Sequence, residues 1–293
     1  MKDFIEFFPV LDSELKKIQA DEHSKIALDY FADKVDSNLQ NNLVSELIVR
    51  YADMSKQLER KNETLKRYNE HLEEIVHEKV KEISASQIAT IHALVKAAET
   101  RDDDTGAHIE RTSLFCKLIA EELYEEGIYK DIVNNAYAEN MSMASPLHDI
   151  GKIGIRDSIL LKPGRLTEDE FEIMKTHVII GHDTLSSVVK FHPENTFLKF
   201  GMEISLFHHE KWDGSGYMSG HSGEEIPLSA RIMAISDVYD ALRSKRVYKE
   251  AYTHERTFRI IADGSGVNFD PKLVESFKKL NLSFRDIFDK LSG

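Results

Sequence analysis

The chain contains few of the residues that crosslink or interrupt a polypeptide. Its 293 residues include 1 cysteine, 6 prolines and 14 glycines. A single cysteine excludes an intrachain disulfide and suits a reducing compartment, so we expect a cytoplasmic protein in which Cys116 is a small apolar residue on a helix. Few prolines and glycines favour long helices over a turn-rich β architecture.

Long apolar runs and an excess of positive charge are also missing. No apolar run is long enough to span a bilayer, and the segment MKDFIEFFPVLDSEL does not have the pattern of a signal peptide. The formal net charge is −13, from 38 basic and 51 acidic residues. Such a chain is not expected to bind duplex nucleic acid, although local cations or metal ions can still hold a small anion.

A long helix is predicted in the first half of the chain. Residues 54–100 contain neither proline nor glycine, and Leu58, Leu65 and Leu72 recur at heptad spacing. This pattern predicts an amphipathic helix with a coiled-coil seam, for which a parallel homodimer through 54–98 is favoured over packing on its own domain. We divide the chain into a small helical region of unknown role (1–50), a signalling or dimerisation helix (51–98) and a catalytic domain (99–293).

The remainder of the chain alternates helical periodicity with short polar turns, and its strand signals are weak. The pattern predicts an all-α domain. Helices are expected near 106–126, 131–149, 167–190, 197–209, 228–243 and 253–263, followed by a turn at 264–271 and terminal helices.

Two adjacent pairs of metal-ligand residues follow apolar stretches. His148-Asp149 comes after ASPL, and His208-His209 comes after ISLF. Burying such groups is unfavourable unless something binds them, and neighbours on a helix point about 100° apart, so the pairs can serve two metal ions or two sides of one cluster. Imidazole and carboxylate without thiolate suit Fe, Mn, Zn, Ni or Co. Two bridged ions can lower the pKa of a shared water and clamp a phosphodiester.

Three longer motifs resemble those of HD-GYP domains, a branch of the HD phosphohydrolase superfamily. They are ETRDDDTGAHIERT (99–112), LHDIGKIGIRDSILLKPGRLT (147–167) and the segment from HHEKWDGSGYMSG to SKRVYKEA (208–251). The resemblance covers roughly 91–270 and implies an HD-type helical bundle preceded by the long helix. It also implies a metal-dependent phosphodiesterase that hydrolyses a cyclic dinucleotide, first of all cyclic di-GMP, to pGpG or GMP.

The resemblance also implies a role for individual residues. Asp149 would bridge the metals and take part in catalysis, and Lys152 would contact the scissile phosphate. Arg246, Lys249 and Tyr217 would contact the substrate. The site would hold two or three divalent ions, with Fe or Mn ahead of Ni, Co or Zn. The implied metal ligands are Asp104, His108, His148, Asp149, His177, His208, His209 and Asp237.

Two positions leave alternatives open, and one of them, Met218, departs from the family pattern. Asp104 precedes His108 by one helical turn, so it either binds a third metal or caps the helix. Met218 stands where the family has proline, which should make the loop more mobile and can change substrate preference. The alternative functions are a 3′,3′-cyclic GMP-AMP phosphodiesterase, or a catalytically idle sensor that signals through the coiled coil or a protein partner. The complete ligand set favours the enzyme.

Overall fold

The computed structural model describes residues 40–99, 107–217, 220–245 and 250–292. Within these ranges all regular elements are helices, and the one β-bridge joins Ser265 to Phe269. The prediction of an all-α fold is therefore confirmed. The small helical region predicted over 1–50 lies outside the described residues as far as residue 39, and the domain boundaries predicted at 50 and 98 stay predictions.

The chain divides into two units, Met1–Glu82 and Ile83–Gly293. In the first unit, the described residues belong to helix α1, which as a whole spans Gln40–Glu99. The heptad leucines Leu58, Leu65 and Leu72 are exposed on its surface. No helix in the described ranges is both long enough and apolar enough to cross a membrane.

The second unit is a bundle of helices joined by short turns. Several helices have the predicted bounds to within two residues, and α8 has them without any difference. The α-helices after α1 are α2 Ala107–Glu126, α3 Tyr137–Ala144, α4 Asp157–Leu160, α5 Glu168–Lys175, α6 His177–Val189, α7 Thr196–Phe207, α8 Leu228–Arg243, α9 His254–Asp263, α10 Pro271–Lys279 and α11 Asn281–Leu291. Short 3-10 helices span Ser145–Gly154 and Gly223–Glu225.

The prediction of one helix over 131–149 was wrong. Helix α3 covers only Tyr137–Ala144 and is followed by the 3-10 helix Ser145–Gly154. Pro146 stands in the first turn of that 3-10 helix, and because proline has no N–H it cannot continue the α-helical ladder. His148 and Asp149 therefore lie on the 3-10 helix rather than at the end of an α-helix.

The helix predicted over 167–190 is also interrupted, at Thr176. The Thr176 hydroxyl donates a hydrogen bond to the carbonyl of Ile173 at 2.7 Å, which closes the first helix locally. His177 consequently becomes the first residue of α6.

The main hydrophobic core lies between α2, α8 and the last two helices. Phe115 of α2 stacks on Phe284 of α11 with ring centroids 4.4 Å apart, and Tyr239 of α8 packs edge-on against both rings. Cys116 is buried in this core as a free thiol, and burial raises its pKa to about 12. The core fixes α2 against α8, and these two helices carry His108 and Asp237.

The 3-10 helix meets α6 backbone to backbone. A Cβ atom added to Gly151 would lie 1.9 Å from the main-chain oxygen of His177, and one added to Gly181 would lie 2.1 Å from Oγ of Ser205. Only glycine permits this approach. It brings Asp149, two residues before Gly151, next to His177.

Candidate metal centre

The first group of possible ligands comes from three elements. His108 is on α2, His148 is on the 3-10 helix, and Asp237 is on α8. Nε2 of His108 lies 3.8 Å from Oδ1 of Asp237, and the rings of His108 and His148 are 5.5 Å apart between centroids. The ligand atoms of all three residues lie within 4.8 Å of one another, so they can hold a metal ion.

A second group lies beside the first. It consists of Asp149, His177, His208 and His209, whose ligand atoms also lie within 4.8 Å of one another. Oδ1 of Asp149 is 3.2 Å from Nε2 of His177 and 3.7 Å from Nε2 of His208. The rings of His148 and His208 are 5.2 Å apart between centroids, so the two groups adjoin.

Asp149 faces both groups with a single carboxylate. Its Oδ1 points to His177 and His208, while its Oδ2 is 3.2 Å from Nε2 of His148 and 2.8 Å from Nζ of Lys152. This is the arrangement that a bridging carboxylate requires. Lys152 follows Asp149 by one turn and places a positive charge at the edge of the centre.

The tautomers of three of these histidines are fixed by the main chain. Because a carbonyl oxygen only accepts hydrogen bonds, each Nδ1 carries the hydrogen and each Nε2 presents a lone pair. The Nδ1 atoms donate to the carbonyls of Ser145 (from His148, 2.9 Å), Met174 (from His177, 2.8 Å) and Ile204 (from His208, 2.9 Å).

The buried lone pairs test whether a metal ion fits this centre. Among the described residues, Oδ1 of Asp149 and Nε2 of His177 and of His208 are buried without a hydrogen-bond partner. A lone pair of His177 facing a carboxylate oxygen at 3.2 Å is unfavourable by itself, and a cation between the two atoms satisfies both. The donor set, made of imidazole nitrogens and carboxylate oxygens, fits a divalent metal ion.

The protonation states suit the same role. Burial, reinforced by the neighbouring imidazoles, holds the pKa of His208 well below its usual value, and burial lowers the pKa of His209 to about 4. Burial opposes ionisation of Asp149, but Lys152 and the surrounding histidines hold its pKa well below the usual range. At neutral pH these groups are neutral imidazoles and an ionised carboxylate, the forms that bind metals.

Asp240 and Arg111 belong to this centre and were not predicted from the sequence. Oδ2 of Asp240 is 2.7 Å from Nδ1 of His108, and Arg111 binds the same carboxylate through Nε at 2.5 Å and Nη2 at 2.9 Å. Burial disfavours the charged forms, but Arg111 lowers the pKa of Asp240, and the hydrogen bond to Asp240 raises the pKa of His108. The sequence signal that could have identified them is a spacing of three residues, which puts two side chains on one face of a helix. Asp240 follows Asp237 at this spacing, and Arg111 follows His108.

The predicted substrate residues are placed in part. The ring of Tyr217 stacks on that of His209, with centroids 4.2 Å apart and an interplanar angle of 27°. Tyr217 is therefore next to the second ligand group. The predicted site residues Asp104, Arg246 and Lys249, and the substituted position Met218, lie outside the described residues, so their roles stay predictions.

The loop that carries Tyr217 is tied to the predicted turn at 264–271. The amide of Trp212 donates to the carbonyl of Asn268 at 3.2 Å, and the amide of Asp213 donates to the carbonyl of Val267 at 3.0 Å. Gly223 closes the loop by donating to the carbonyl of Trp212 at 2.8 Å. The base of the loop is thus anchored on both sides of Tyr217.

The sequence matches a protein family and several relatives. The model of the HD domain family matches residues 54–273. A protein of Vibrio cholerae described as a probable cyclic di-GMP phosphodiesterase is 44% identical over 237 residues, which are 80% of this chain and 54% of that protein. A second Vibrio cholerae protein, described as a cyclic di-GMP phosphodiesterase, is 47% identical over 203 residues, 69% of this chain and 41% of that protein.

A third relative has a different substrate in its description. The 3′3′-cGAMP-specific phosphodiesterase 2 of Vibrio cholerae is 42% identical over 185 residues, 63% of this chain and 33% of that protein. The chain therefore spans about half or less of the length of these three relatives. The resemblance drawn from the sequence motifs is confirmed by these matches.

Proposed function

Because the chain belongs to the HD domain family, we propose that it is a metal-dependent phosphodiesterase that hydrolyses a cyclic dinucleotide. Cyclic di-GMP is the first candidate substrate, and pGpG or GMP is the product. The observation that carries the proposal is the position of Asp149, whose two oxygens face two separate groups of histidines. Relatives described as cyclic di-GMP phosphodiesterases support the choice of substrate.

The metals are proposed to be two divalent ions, one in each ligand group. His108, His148 and Asp237 would hold one ion, His177, His208 and His209 the other, and Asp149 would bind both. Fe or Mn is favoured, and Ni, Co and Zn are compatible with the same donors. A third ion depends on Asp104. Divalent ions in such a centre supply Lewis-acid stabilisation of phosphate oxygens and lower the pKa of water.

The side chains around the ligands would hold the substrate. Lys152, with Nζ 2.8 Å from Asp149, would bind an oxygen of the scissile phosphate and stabilise the negative charge that develops there. Arg246 and Lys249 would bind the remaining phosphate or a guanine base, with arginine able to do so through two parallel hydrogen bonds. Tyr217 would line the pocket next to His209.

The proposal is tested with purified full-length chain loaded anaerobically with Fe(II) or Mn(II). Incubation with cyclic di-GMP should yield pGpG or GMP, measured by chromatography. The control is Asp149→Ala, which should lose both turnover and most bound metal because it removes a ligand from both groups. Tight nucleotide binding without any product from the metal-loaded wild type would contradict the enzyme and leave a sensor. Unchanged metal content and rate in Asp149→Ala would contradict the site.

The specific alternative is hydrolysis of 3′,3′-cyclic GMP-AMP. It is favoured by the 42% identity to the 3′3′-cGAMP-specific relative. Met218 follows Tyr217 in the sequence and stands in the position of the family proline, so it is the residue that we propose to alter the preference. Parallel assays of kcat/KM for the two dinucleotides decide between them.

We also propose that the chain forms a parallel homodimer through 54–98. Leu58, Leu65 and Leu72 support it, because they are exposed at heptad spacing on α1. A signalling protein partner that acts through this helix is part of the same proposal.

A further inference from the structure

Phe171 of α5 is a large apolar side chain outside the core. Its ring is 42% exposed, and none of the eight residues of α5 is fully buried. A single exposed phenylalanine needs no explanation by itself. The position of Phe171 relative to the metal centre does need an explanation, because Phe171 is the outer member of a row of three rings.

The row begins at the second ligand group. His209 is one of its four members, and Tyr217 stacks on His209 at 4.2 Å between centroids. Phe171 meets Tyr217 edge-on, with centroids 5.8 Å apart and an interplanar angle of 80°. The rings therefore lead from the proposed position of the phosphate to an exposed aromatic ring.

Cationic groups accompany the row at both ends. Lys152 lies at the inner end, beside Asp149. Nζ of Lys175 is 5.7 Å from the centroid of Phe171 and 2.7 Å from Oε1 of Glu172, and the Lys175 side chain is only 15% exposed. An aromatic face beside ammonium groups suits a flat, electron-rich base attached to an anionic backbone.

Helix α5 holds Phe171 in a defined position. Thr167 and Glu170 form a capping box at its start, in which the amide of Glu170 donates to Oγ1 of Thr167 at 3.3 Å and the amide of Thr167 donates to Glu170 at 2.8 Å. Lys162 adds an ion pair to Glu170. The start of the helix is fixed within the same turn that carries Phe171.

We propose that Phe171 is a substrate-binding residue that stacks on a purine base of the cyclic dinucleotide. The inference rests on the proposed function and names the group that positions the base while the phosphate lies at the metal centre. A cyclic dinucleotide carries its two bases away from the phosphates, so a base platform has to stand outside the ligand groups. Phe171 stands there, one ring beyond Tyr217.

The first test compares Phe171→Ala with Phe171→Trp in the metal-loaded full chain. Stacking of a base on an aromatic ring contributes about 1–3 kcal/mol, so Phe171→Ala should raise the KM for cyclic di-GMP by about 5- to 140-fold. Its kcat and metal content should stay near those of the wild type. Phe171→Trp restores an aromatic face and should return KM to within a few-fold of the wild-type value.

Phe191 provides the matched control. It is a phenylalanine just beyond the end of α6, 82% exposed, with no role in the proposed site. Phe191→Ala should leave KM, kcat and metal content unchanged. If Phe171→Ala and Phe191→Ala raised KM equally, the change would result from the loss of a surface aromatic residue in general, and the proposal would be overturned.

A second readout is fluorescence, which does not depend on turnover. The chain has one tryptophan, Trp212, so a tryptophan placed at 171 can be followed against the wild-type signal. Stacking by guanine should quench the added fluorescence of Phe171→Trp as cyclic di-GMP is titrated. Phe191→Trp should show no quenching beyond that of the wild type.

The outcomes separate this proposal from the proposed function. An active wild type in which Phe171→Ala leaves KM unchanged would overturn the stacking role and leave the phosphodiesterase intact. A fall in kcat with loss of bound metal would make Phe171 a structural residue, and a change of oligomeric state without a change in KM would make it a contact between copies.

A wild type that binds cyclic di-GMP without hydrolysis contradicts the enzyme, while quenching in Phe171→Trp would still support the base platform. No binding and no turnover would overturn both.

Discussion

Nδ1 of His108 donates a hydrogen bond to Oδ2 of Asp240 across 2.7 Å, and the same carboxylate is held by Arg111. Asp240 therefore does for His108 what main-chain carbonyls do for His148, His177 and His208: it leaves the lone pair on Nε2. A charged acceptor also strengthens the imidazole as a ligand more than a carbonyl does. The first ligand group thus depends on a carboxylate that binds no metal itself.

Asp240→Asn should weaken the first ligand group selectively. The neutral amide removes the charge that orients His108, and loss of such a partner typically lowers metal affinity about 10- to 100-fold. The variant is dialysed against increasing concentrations of a chelator. It should lose the ion of the first group while it retains the ion of the second group. The control is Asp286→Asn, on the exposed surface of α11. Equal chelator resistance of Asp240→Asn and wild type would refute the role of Asp240.

Lys152→Ala should slow the reaction without removing metal. Lys152 belongs to neither ligand group, but in the proposed function it stabilises charge on the phosphate, and removing one such donor typically costs about 10²–10³-fold in kcat. Metal analysis and steady-state kinetics on the same preparation check this. Lys190→Ala, at the exposed end of α6, is the control. A preparation of Lys152→Ala that has lost its metal would show that the lysine acts on the ligands instead.

Gly151→Ala should destabilise the second unit and separate the ligand groups. The new methyl would lie 1.9 Å from the main-chain oxygen of His177, so backbone must move, and overpacking of this kind costs about 1–3 kcal/mol or more. The midpoint of thermal denaturation and the metal content should both fall. Gly154→Ala on the same 3-10 helix is the control, because its methyl would meet only the Ile180 side chain, at 3.0 Å. Similar losses in the two variants would be evidence against a special role for Gly151.

Leu65→Asp should convert the proposed dimer to a monomer. Leu65 is exposed at the centre of the heptad stripe, and an aspartate there would place like charges opposite each other in a parallel pair. Analytical ultracentrifugation gives the mass directly. Glu63→Lys, on the outer face of the same helix, should leave the mass unchanged. A wild-type chain that sediments as a monomer would contradict the dimer.

Much of the site followed from local sequence. His148-Asp149 and His208-His209 each stand beside apolar residues, and such pairs indicate buried polar groups even when the groups that they contact are unknown. Asp240 was missed because its partner His108 is 132 positions away, and no local pattern links the two. Phe171 was missed because one phenylalanine on a short polar helix has the same sequence signal as any surface residue.

The helix breaks show the same limit on the fold. The helix predicted over 167–190 has continuous helical periodicity, and the interruption at Thr176 coincides with hydrogen bonds from its hydroxyl and its amide to the carbonyl of Ile173. Pro146 was visible in the sequence, but the change to a 3-10 helix that it accompanies alters which way His148 and Asp149 point. Residue identity predicted which side chains are candidate ligands, whereas the directions in which they point came from the tertiary structure.

The contact between Gly151 and α6 distinguishes the part of the site in which substitutions are not tolerated from the part in which they are. At Gly151 the two elements meet main chain against main chain, so the spacing between Asp149 and His177 cannot be adjusted there by exchanging one side chain for a larger or smaller one. The rim, by contrast, consists of side chains such as Tyr217 and Phe171 on a loop and a short helix. Substitutions at the rim can therefore change how tightly the proposed substrate is held while the distance between the two ligand groups stays the same.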